Sequence, residues 1–308
     1  MLFYLGPRVA LDTTLHPHPL PDNLDAHLED SESKYPDITP GAEKTIVWAD
    51  PQQRTRTEFA FVYLHGFSAT RQESVPVPDD IATHFNSNIY YARLAGNGRG
   101  DDALAQGSVN KWVNDAAEAL QIARRLGKRT IVIGCSTGAT LAWWIAHQQP
   151  FKDDVSAMVF LSPNFGVADA RADLLLYPWG AQLAKTTVGA YRESEPVSDL
   201  HAKYWTNRYP VEALLPMMGL VRLARQYPPQ ANSIPLHLTY SRNDDTVSVS
   251  QIKTFCQQLN SPHEVVEIVQ PEGASQHVIA GNILAPENND RITQSVIHFL
   301  ESTLATGS

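Results

Sequence analysis

The sequence predicts an α/β domain in which a mostly parallel central sheet is flanked by helices on both faces. The main observation is an alternation: apolar, β-branched or aromatic runs that end in glycine or turn residues alternate with segments whose apolar residues recur at helical spacing. A second observation is that 43% of the 308 residues are hydrophobic, which suits one large domain or two small ones with a buried core. Strands that alternate with helices favour a parallel sheet.

The predicted elements follow one another in a regular order. Strands are predicted over 58–66, 88–96, 130–134, 155–163, 235–241 and 264–270. Helices are predicted over 109–126, 137–149, 248–259 and 290–304. The first of these helices shows the spacing most clearly, since Val109, Trp112, Ala116 and Leu120 fall on one face.

Two segments do not follow the alternation. Residues 12–45 are rich in Pro, His, Asp and Glu, so 1–45 is predicted to be an extended arm on the surface of a single domain spanning 1–308. Over 164–232, prolines separate short apolar and aromatic stretches, which predicts a helical cap inserted into that domain. The apolar residues of the cap form a second small core, roof a pocket, or do both.

Charge and cysteine content exclude several classes of function. The formal net charge is −9 and no basic cluster is present, so neither a nucleic acid nor an anionic membrane surface is an expected partner. Cys135 and Cys256 are the two cysteines, too few for a disulfide scaffold or a cysteine zinc site. No histidine pair has the spacing of a metal motif such as HExxH, so no metal is expected.

The sequence predicts neither a signal peptide nor a membrane-spanning helix. The opening MLFYLGPRVAL is short and is broken by Gly6 and Pro7, so it is not predicted to be a signal peptide. No apolar run reaches the length of about 18 residues that a spanning helix needs. We therefore expect a soluble protein, with its compartment, cytoplasmic or exported, left open.

The sequence IVIGCSTG contains Gly134, Ser136 and Gly138 in a GxSxG pattern between a predicted strand and a predicted helix. In that context the pattern is typical of a nucleophile elbow, where two backbones approach closely and a serine is held in a strained conformation. The simpler interpretation is a tight turn that happens to contain serine. A serine hydroxyl also needs a base and a group that orients the base.

Candidates for both partners follow in the chain. Asp244 and Asp245 come just after a predicted strand, and His277 lies in a loop after the next strand. Because the carboxyl ends of parallel strands open on one edge of the sheet, these side chains are expected near Ser136. The order Ser, Asp, His along the chain is that of a known hydrolase class.

With the sequence HGF at residues 65–67, these motifs resemble the α/β-hydrolase superfamily, and within it the carboxylesterases and monoacylglycerol-lipase-like members with a helical cap. The resemblance covers about 58–305 and implies the α/β-hydrolase fold. The segment is HGF and not HGGG, so similarity to hormone-sensitive lipase is not supported.

The resemblance also implies roles for particular residues. Ser136 is the expected nucleophile, His277 the general base and acid, and the backbone N–H groups of Phe67 and Thr137 the oxyanion hole. Family members often follow the acid with two residues and then Val, which favours Asp244 over Asp245. The implied function is hydrolysis of small carboxylic esters or acylglycerols through an acyl-enzyme, without a cofactor.

Several alternatives stay open. The same residues could hydrolyse thioesters, amides or lactones, because a fold does not determine the leaving group. A non-catalytic binding protein on the same scaffold is the alternative from a different class, although no triad residue is missing. Hydrolases of this fold with an Asp nucleophile are disfavoured by Ser136. The sequence leaves the oligomeric state open.

Overall fold

The computed structural model describes residues 5–16, 19–269 and 273–304. Its strands are β1 (Thr45–Val47), β2 (Thr57–Leu64), β3 (Asn88–Tyr91), β4 (Gly127–Cys135), β5 (Val155–Leu161), β6 (Tyr191–Glu193), β7 (Arg208–Pro210), β8 (Leu236–Ser241) and β9 (His263–Ile268). Within the described residues, seven of them form one sheet in the order β1-β3-β2-β4-β5-β8-β9, and β6 pairs with β7. The pairs of the large sheet are parallel except for β1 with β3, which confirms the predicted mostly parallel sheet.

The helices are α1 (Leu24–Ser33), α2 (Val77–His84), α3 (Val109–Leu126), α4 (Thr137–Ile145), α5 (Gly180–Thr187), α6 (Asp199–Tyr204), α7 (Leu214–Ala224), α8 (Val249–Gln257) and α9 (Asn289–Leu304). One face of the sheet is covered by α1, α3, α4, α7 and α8, and the other by α2 and α9.

Successive side chains of a strand contribute to the two buried cores, one on each face of the sheet. In β2, Phe61 and Tyr63 belong to the core on the side of α2 and α9, whereas Ala60, Val62 and Leu64 belong to the core on the opposite side. Successive side chains of a strand point to opposite faces, so a strand buried on both faces has a continuous apolar sequence. This is the reason that the strands could be predicted from uninterrupted apolar runs.

The predicted strands and helices are present, with different ends. Helix α4 ends at Ile145, four residues before the predicted end, and β9 ends at Ile268. Of the strand predicted over 264–270, Gln270 lies outside the described residues. Strand β1 and helix α2 were not predicted, because β1 has only three residues and α2 begins in the proline-rich sequence VPVPDD.

The arm predicted to be extended over 1–45 contains helix α1. The side chain of Asn23 caps the first turn of this helix, and Leu24 and Leu28 are buried one turn apart against the domain. The sequence LDAHLEDSES has only two large apolar residues, Leu24 and Leu28, which is too few to show a helical period. The prediction of an extended arm was therefore wrong for residues 24–33.

The segment predicted as a cap, 164–232, follows β5 and precedes β8. It contains α5, α6 and α7, several single-turn helices, and the short antiparallel pair of β6 and β7, which was not predicted. Backbone and side-chain contacts join it to the loops that follow β2 and β3. The N–H of Thr206 donates to Ser68 O at 2.7 Å, and Tyr191 Oη donates to Asp102 Oδ1 at 2.8 Å.

Candidate active site

Ser136 lies between the last residue of β4 and the first residue of α4, with φ of 50° and ψ of −114°. This is a conformation that residues with a side chain rarely adopt, and it turns the chain sharply from strand to helix. The neighbouring glycines have no room for a side chain. A β-carbon on Gly138 would lie 1.9 Å from Leu64 O, and one on Gly134 would lie 2.6 Å from the Cα of Ala139.

Three side chains from distant parts of the chain form a continuous line of hydrogen bonds. Ser136 Oγ lies 2.9 Å from His277 Nε2, and His277 Nδ1 lies 2.7 Å from Asp244 Oδ2. The second oxygen of this carboxylate accepts the backbone N–H groups of Thr246 and Val247, each at 2.9 Å. Because the carboxylate accepts a hydrogen bond from Nδ1–H, Nε2 carries no proton and can accept the hydrogen bond of the serine hydroxyl.

Asp245 occupies a different environment from its neighbour. Its side chain is exposed, and its Oδ1 lies 3.4 Å from the hydroxyl of Thr246. The side chain of Asp244, by contrast, has no exposed surface. Of the two carboxylates, the one at His277 is Asp244, which the sequence favoured.

The topology of the sheet brings these residues to one edge. Ser136 follows β4, Asp244 follows β8 and His277 follows β9, and these strands run in the same direction. The His65–Phe67 loop follows β2, which is parallel to β4. The carboxyl ends of parallel strands share an edge, so residues far apart in sequence meet there.

The two segments predicted to supply an oxyanion hole lie beside Ser136. Thr137 is the first residue of α4, and the first N–H groups of a helix have no partner within it. A β-carbon on Gly66 would lie 3.4 Å from the β-carbon of Ser136, so the peptide that leads to Phe67 is close to the serine. The donor roles of Phe67 and Thr137 stay predictions.

His65 is a buried part of the loop that precedes Phe67. Its Nε2 accepts the N–H of Leu94 at 3.0 Å, so Nδ1 carries the proton that is donated to Gly66 O at 2.8 Å. Burial lowers the pKa of His65 to about 4, which keeps the ring neutral near pH 7. The ring connects the ends of β2 and β3 and orients the Gly66 carbonyl.

Part of the cap contacts the loops around the serine. The ring of Tyr209 packs edge-on against Phe67 with centroids 5.3 Å apart. On the other side of the site, Asn164 Nδ2 donates to the sulfur of Met217 on α7 at 3.1 Å, and the N–H of Asn164 donates to Ser136 O at 3.2 Å. These contacts connect Tyr209 and Met217 of the cap to residues that contact or adjoin the loops around the serine.

Other apolar residues of the cap are exposed on the surface of the protein. Four of them are Leu174, Tyr177, Trp179 and Leu183. They line a groove of about 630 Å³ together with Pro178, Gln182 and Thr186. The apolar residues of the cap therefore divide among contacts to the loops around the serine, an external surface, and the core beside α3 and α4, where Val211, Met218, Leu220 and Val221 are buried.

The sequence does not predict a role for one buried residue close to the serine. Glu73, on a single helical turn after the HGF loop, is buried with 2% of its surface exposed. Its Oε1 accepts the N–H of Gly66 at 2.6 Å. In the polar sequence ATRQES, nothing distinguishes this glutamate from a surface residue.

Among residues 5–16, 19–269 and 273–304, no group of three or more His, Cys, Asp or Glu side chains could hold a metal ion. Within the same ranges, the helices are too short or too polar to cross a bilayer.

Comparisons with known proteins agree with this architecture. The family model described as the alpha/beta hydrolase family matches residues 61–282. No curated protein sequence matches the chain.

Solved structures with the same fold have low sequence identity. A structure from the metagenome-derived lipolytic enzymes LipS and LipT is 16% identical, covers 86% of this chain and 99% of its own, and gives a TM-score of 0.69. A soluble variant of monoglyceride lipase from Saccharomyces cerevisiae is 12% identical over 84% of this chain and 92% of its own, with a TM-score of 0.59. Est1E from Butyrivibrio proteoclasticus, with ferulic acid bound, is 14% identical over 85% and 95%, with a TM-score of 0.57. The family model covers more than two thirds of the sequence, and the chain belongs to the α/β hydrolase family.

Proposed function

We propose that this protein is a serine hydrolase that cleaves carboxylic esters through an acyl-enzyme. The observation that carries the proposal is the line of hydrogen bonds from Ser136 through His277 to Asp244, at 2.9 and 2.7 Å. A hydroxyl within 3 Å of an imidazole nitrogen, whose other nitrogen is held by a buried carboxylate, is the arrangement that activates a serine.

The first half of the reaction forms the acyl-enzyme. As Ser136 Oγ bonds to the acyl carbon, its proton passes to His277 Nε2 and the carbonyl oxygen becomes an oxyanion. The backbone N–H groups of Phe67 and Thr137 donate to this oxyanion, and Asp244 stabilises the imidazolium. When the tetrahedral intermediate collapses, the bond to the alcohol oxygen breaks and that oxygen takes the proton from His277.

The second half repeats these steps with water. His277 takes a proton from water as the water oxygen bonds to the acyl carbon, and the same N–H groups hold the oxyanion. Collapse breaks the bond to Ser136, whose oxygen recovers a proton from His277, and the carboxylic acid leaves. The steps use no group beyond the protein and water.

The substrate class is inferred from the surroundings of the serine. Phe67, which follows Gly66 in the loop beside Ser136, and Tyr209, packed against Phe67, are partly exposed and supply apolar surface that suits the hydrocarbon part of an acyl group. The structural neighbours include lipolytic enzymes, a monoglyceride lipase bound to a substrate analogue and a protein bound to ferulic acid. We therefore infer small-molecule esters or acylglycerols as substrates.

The test is a comparison of kcat/KM for matched ester, thioester and amide substrates in the wild type and in Ser136→Ala. We expect esters of a good leaving group to be preferred, and the variant to lose about 10⁴-fold or more. A preference for the thioester or the amide would assign the alternative leaving group. Equal turnover in wild type and Ser136→Ala would contradict the mechanism.

A further inference from the structure

A carboxylate that takes no part in the proposed triad lies directly beneath the proposed oxyanion hole. Glu73 Oε1 accepts the N–H of Gly66 at 2.6 Å and lies 2.9 Å from Tyr63 Oη on β2. The tyrosine hydroxyl is also 2.7 Å from the hydroxyl of Ser74. Burying a carboxylate costs free energy, and the donors from Gly66 and Tyr63 offset part of that cost.

The carboxylate is separated from the nucleophile by the width of one glycine. A β-carbon on Gly66 would lie 2.9 Å from Glu73 Oε2 and 3.4 Å from the β-carbon of Ser136. A side chain in place of Gly66 would therefore displace either the carboxylate or the serine. Glu73 acts on the site through Gly66, since the glycine backbone stands between it and the serine.

The geometry of the Gly66–Phe67 peptide connects this carboxylate with the expected oxyanion donor. His65 Nδ1 donates to Gly66 O at 2.8 Å, and Glu73 accepts the Gly66 N–H. In a planar trans peptide, the C=O of one residue and the N–H of the next point in opposite directions. Holding Gly66 at both its N–H and its carbonyl therefore determines the direction of the Phe67 N–H.

The same helical turn also supports the loop that carries His277. The N–H of Asn282 donates to Val75 O at 2.9 Å. Gly281, with φ of 93°, packs against the backbone of Glu73, where a β-carbon would lie 2.1 Å from the carbonyl oxygen. The segment around Glu73 therefore contacts both the oxyanion loop and the histidine loop.

We propose that Glu73 is a positioning residue whose carboxylate orients the Gly66–Phe67 peptide, and with it the N–H that binds the oxyanion. This role rests on the proposed hydrolase function. Glycine has the greatest backbone freedom of any residue, so Gly66 needs an external contact to hold one orientation. An ionised acceptor supplies a stronger contact than a neutral one.

The carboxyl group of Glu73 changes its protonation state near neutral pH. Burial raises the pKa of Glu73 to about 7, against the lowering effects of the Gly66 N–H, Tyr63, His277 and Cys135. These groups face the carboxyl from β2, from β4 and from the histidine loop. Near pH 6 the carboxyl is therefore mostly neutral, and near pH 8.5 it is mostly ionised and holds Gly66 more firmly.

The decisive variant is Glu73→Gln, which keeps the shape and one acceptor oxygen but not the charge. We expect kcat/KM of this variant to equal the wild-type value within about twofold at pH 6 and to fall about tenfold below it at pH 8.5, mainly through kcat. Glu73→Ala should lose more, about 100-fold at pH 8.5, so that Gln gives partial rescue.

Tyr63→Phe removes a donor to the carboxylate of Glu73. The pH above which the wild type and Glu73→Gln differ in kcat/KM should therefore be higher when both carry Tyr63→Phe. Glu58→Gln, at an exposed glutamate paired with Lys128, is the control and should match the wild type at each pH.

Hydrogen exchange gives a readout that does not depend on turnover. In Glu73→Gln at pH 8.5, peptides containing Gly66 and Phe67 should exchange faster than in the wild type, with other strands of the sheet unchanged. Kinetics equal to wild type across the pH range, or unchanged exchange at Gly66, would overturn the positioning role. If the wild type hydrolyses no ester and Ser136 is not labelled by a serine-directed probe, the proposed function fails, and exchange alone then decides the role of Glu73.

Discussion

His277 Nε2 lies 2.9 Å from Ser136 Oγ, although 141 residues separate the two in the chain. The contact exists because both residues follow strands of one parallel sheet and therefore reach the same edge. Asp244 completes the line from the loop after β8.

The neighbouring carboxylates at 244 and 245 provide a matched pair of variants. We expect Asp244→Asn to lower kcat by about 10³-fold or more, because an amide cannot stabilise the imidazolium and favours the wrong tautomer of His277. Asp245→Asn changes an exposed side chain with no contact to His277 and should keep kcat within about twofold of the wild-type value. Steady-state kinetics on an aryl ester measures both. A loss of kcat in Asp245→Asn with Asp244→Asn unaffected would reverse the assignment of the acid.

Gly138, two residues after the serine, is required by the packing of α4 against β2. We expect Gly138→Ala to lower the free energy of unfolding by at least about 3 kcal/mol, because its β-carbon would lie 1.9 Å from the backbone oxygen of Leu64. Gly100→Ala is the control, since no atom lies within 4 Å of a β-carbon there. Urea unfolding measures the difference. A Gly138→Ala protein as stable as Gly100→Ala would show that the turn is not as tightly packed as described.

The buried histidines should make the protein less stable in acid. Burial lowers the pKa values of His65 and His237 to about 4 from an ordinary value of 6.5. Between these values the unfolded chain binds more protons than the native protein, so stability is lost as pH falls from 6.5 towards 4.

His237→Gln removes one of these two groups, and we expect the dependence of unfolding free energy on pH to become shallower by up to about 1.4 kcal/mol per pH unit in that window. Urea unfolding at a series of pH values measures this slope. An unchanged slope would show that His237 takes up a proton in the native state as easily as in the unfolded one.

Helix α1 of the arm is attached to the domain by a buried ion pair. Arg93 Nε and Nη2 donate to the two carboxylate oxygens of Glu32, each at 2.8 Å. We expect Glu32→Gln to lower the free energy of unfolding by about 3 kcal/mol, because it leaves the guanidinium buried without its counter-charge. Asp22→Asn, at an exposed residue 3.4 Å from Arg125, is the control and should not change the urea midpoint. Equal midpoints for the two variants would show that the Glu32–Arg93 ion pair contributes little to stability.

The parts of the fold that could be predicted are those whose physical cause is local in the sequence. Strands buried on both faces have continuous apolar runs, as in β2 and β4, and a sharp strand-to-helix turn needs glycine at 134 and 138. The serine, base and acid could be proposed from the sequence because the chemistry requires these residue types and because their order along the chain is typical of the fold. The sequence favoured Asp244 over Asp245, and the structure adds a physical reason, since the Asp244 carboxylate contacts His277 whereas Asp245 is exposed.

Other features could not be predicted because their cause lies in tertiary contacts. Helix α1 buries only Leu24, Leu28 and part of Glu32, so its sequence has the composition of a surface arm. Glu73 is surrounded by polar residues in sequence and is buried only because the loops after β2 and β9 close over it. The division of the cap between an inner contact at Tyr209 and an exposed outer surface also depends on how the short helices pack.

The most direct test of the central claim is labelling of Ser136 by a fluorophosphonate probe, with the modified peptide identified by mass spectrometry. The wild type, His277→Ala and the control His263→Ala, which changes an exposed histidine, would be compared. We expect rapid labelling at Ser136 in the wild type and the control, and labelling slower by about 10³-fold or more in His277→Ala. Labelling at another residue, or at Ser136 with equal rates in the folded His277→Ala protein, would contradict an activated serine in this site.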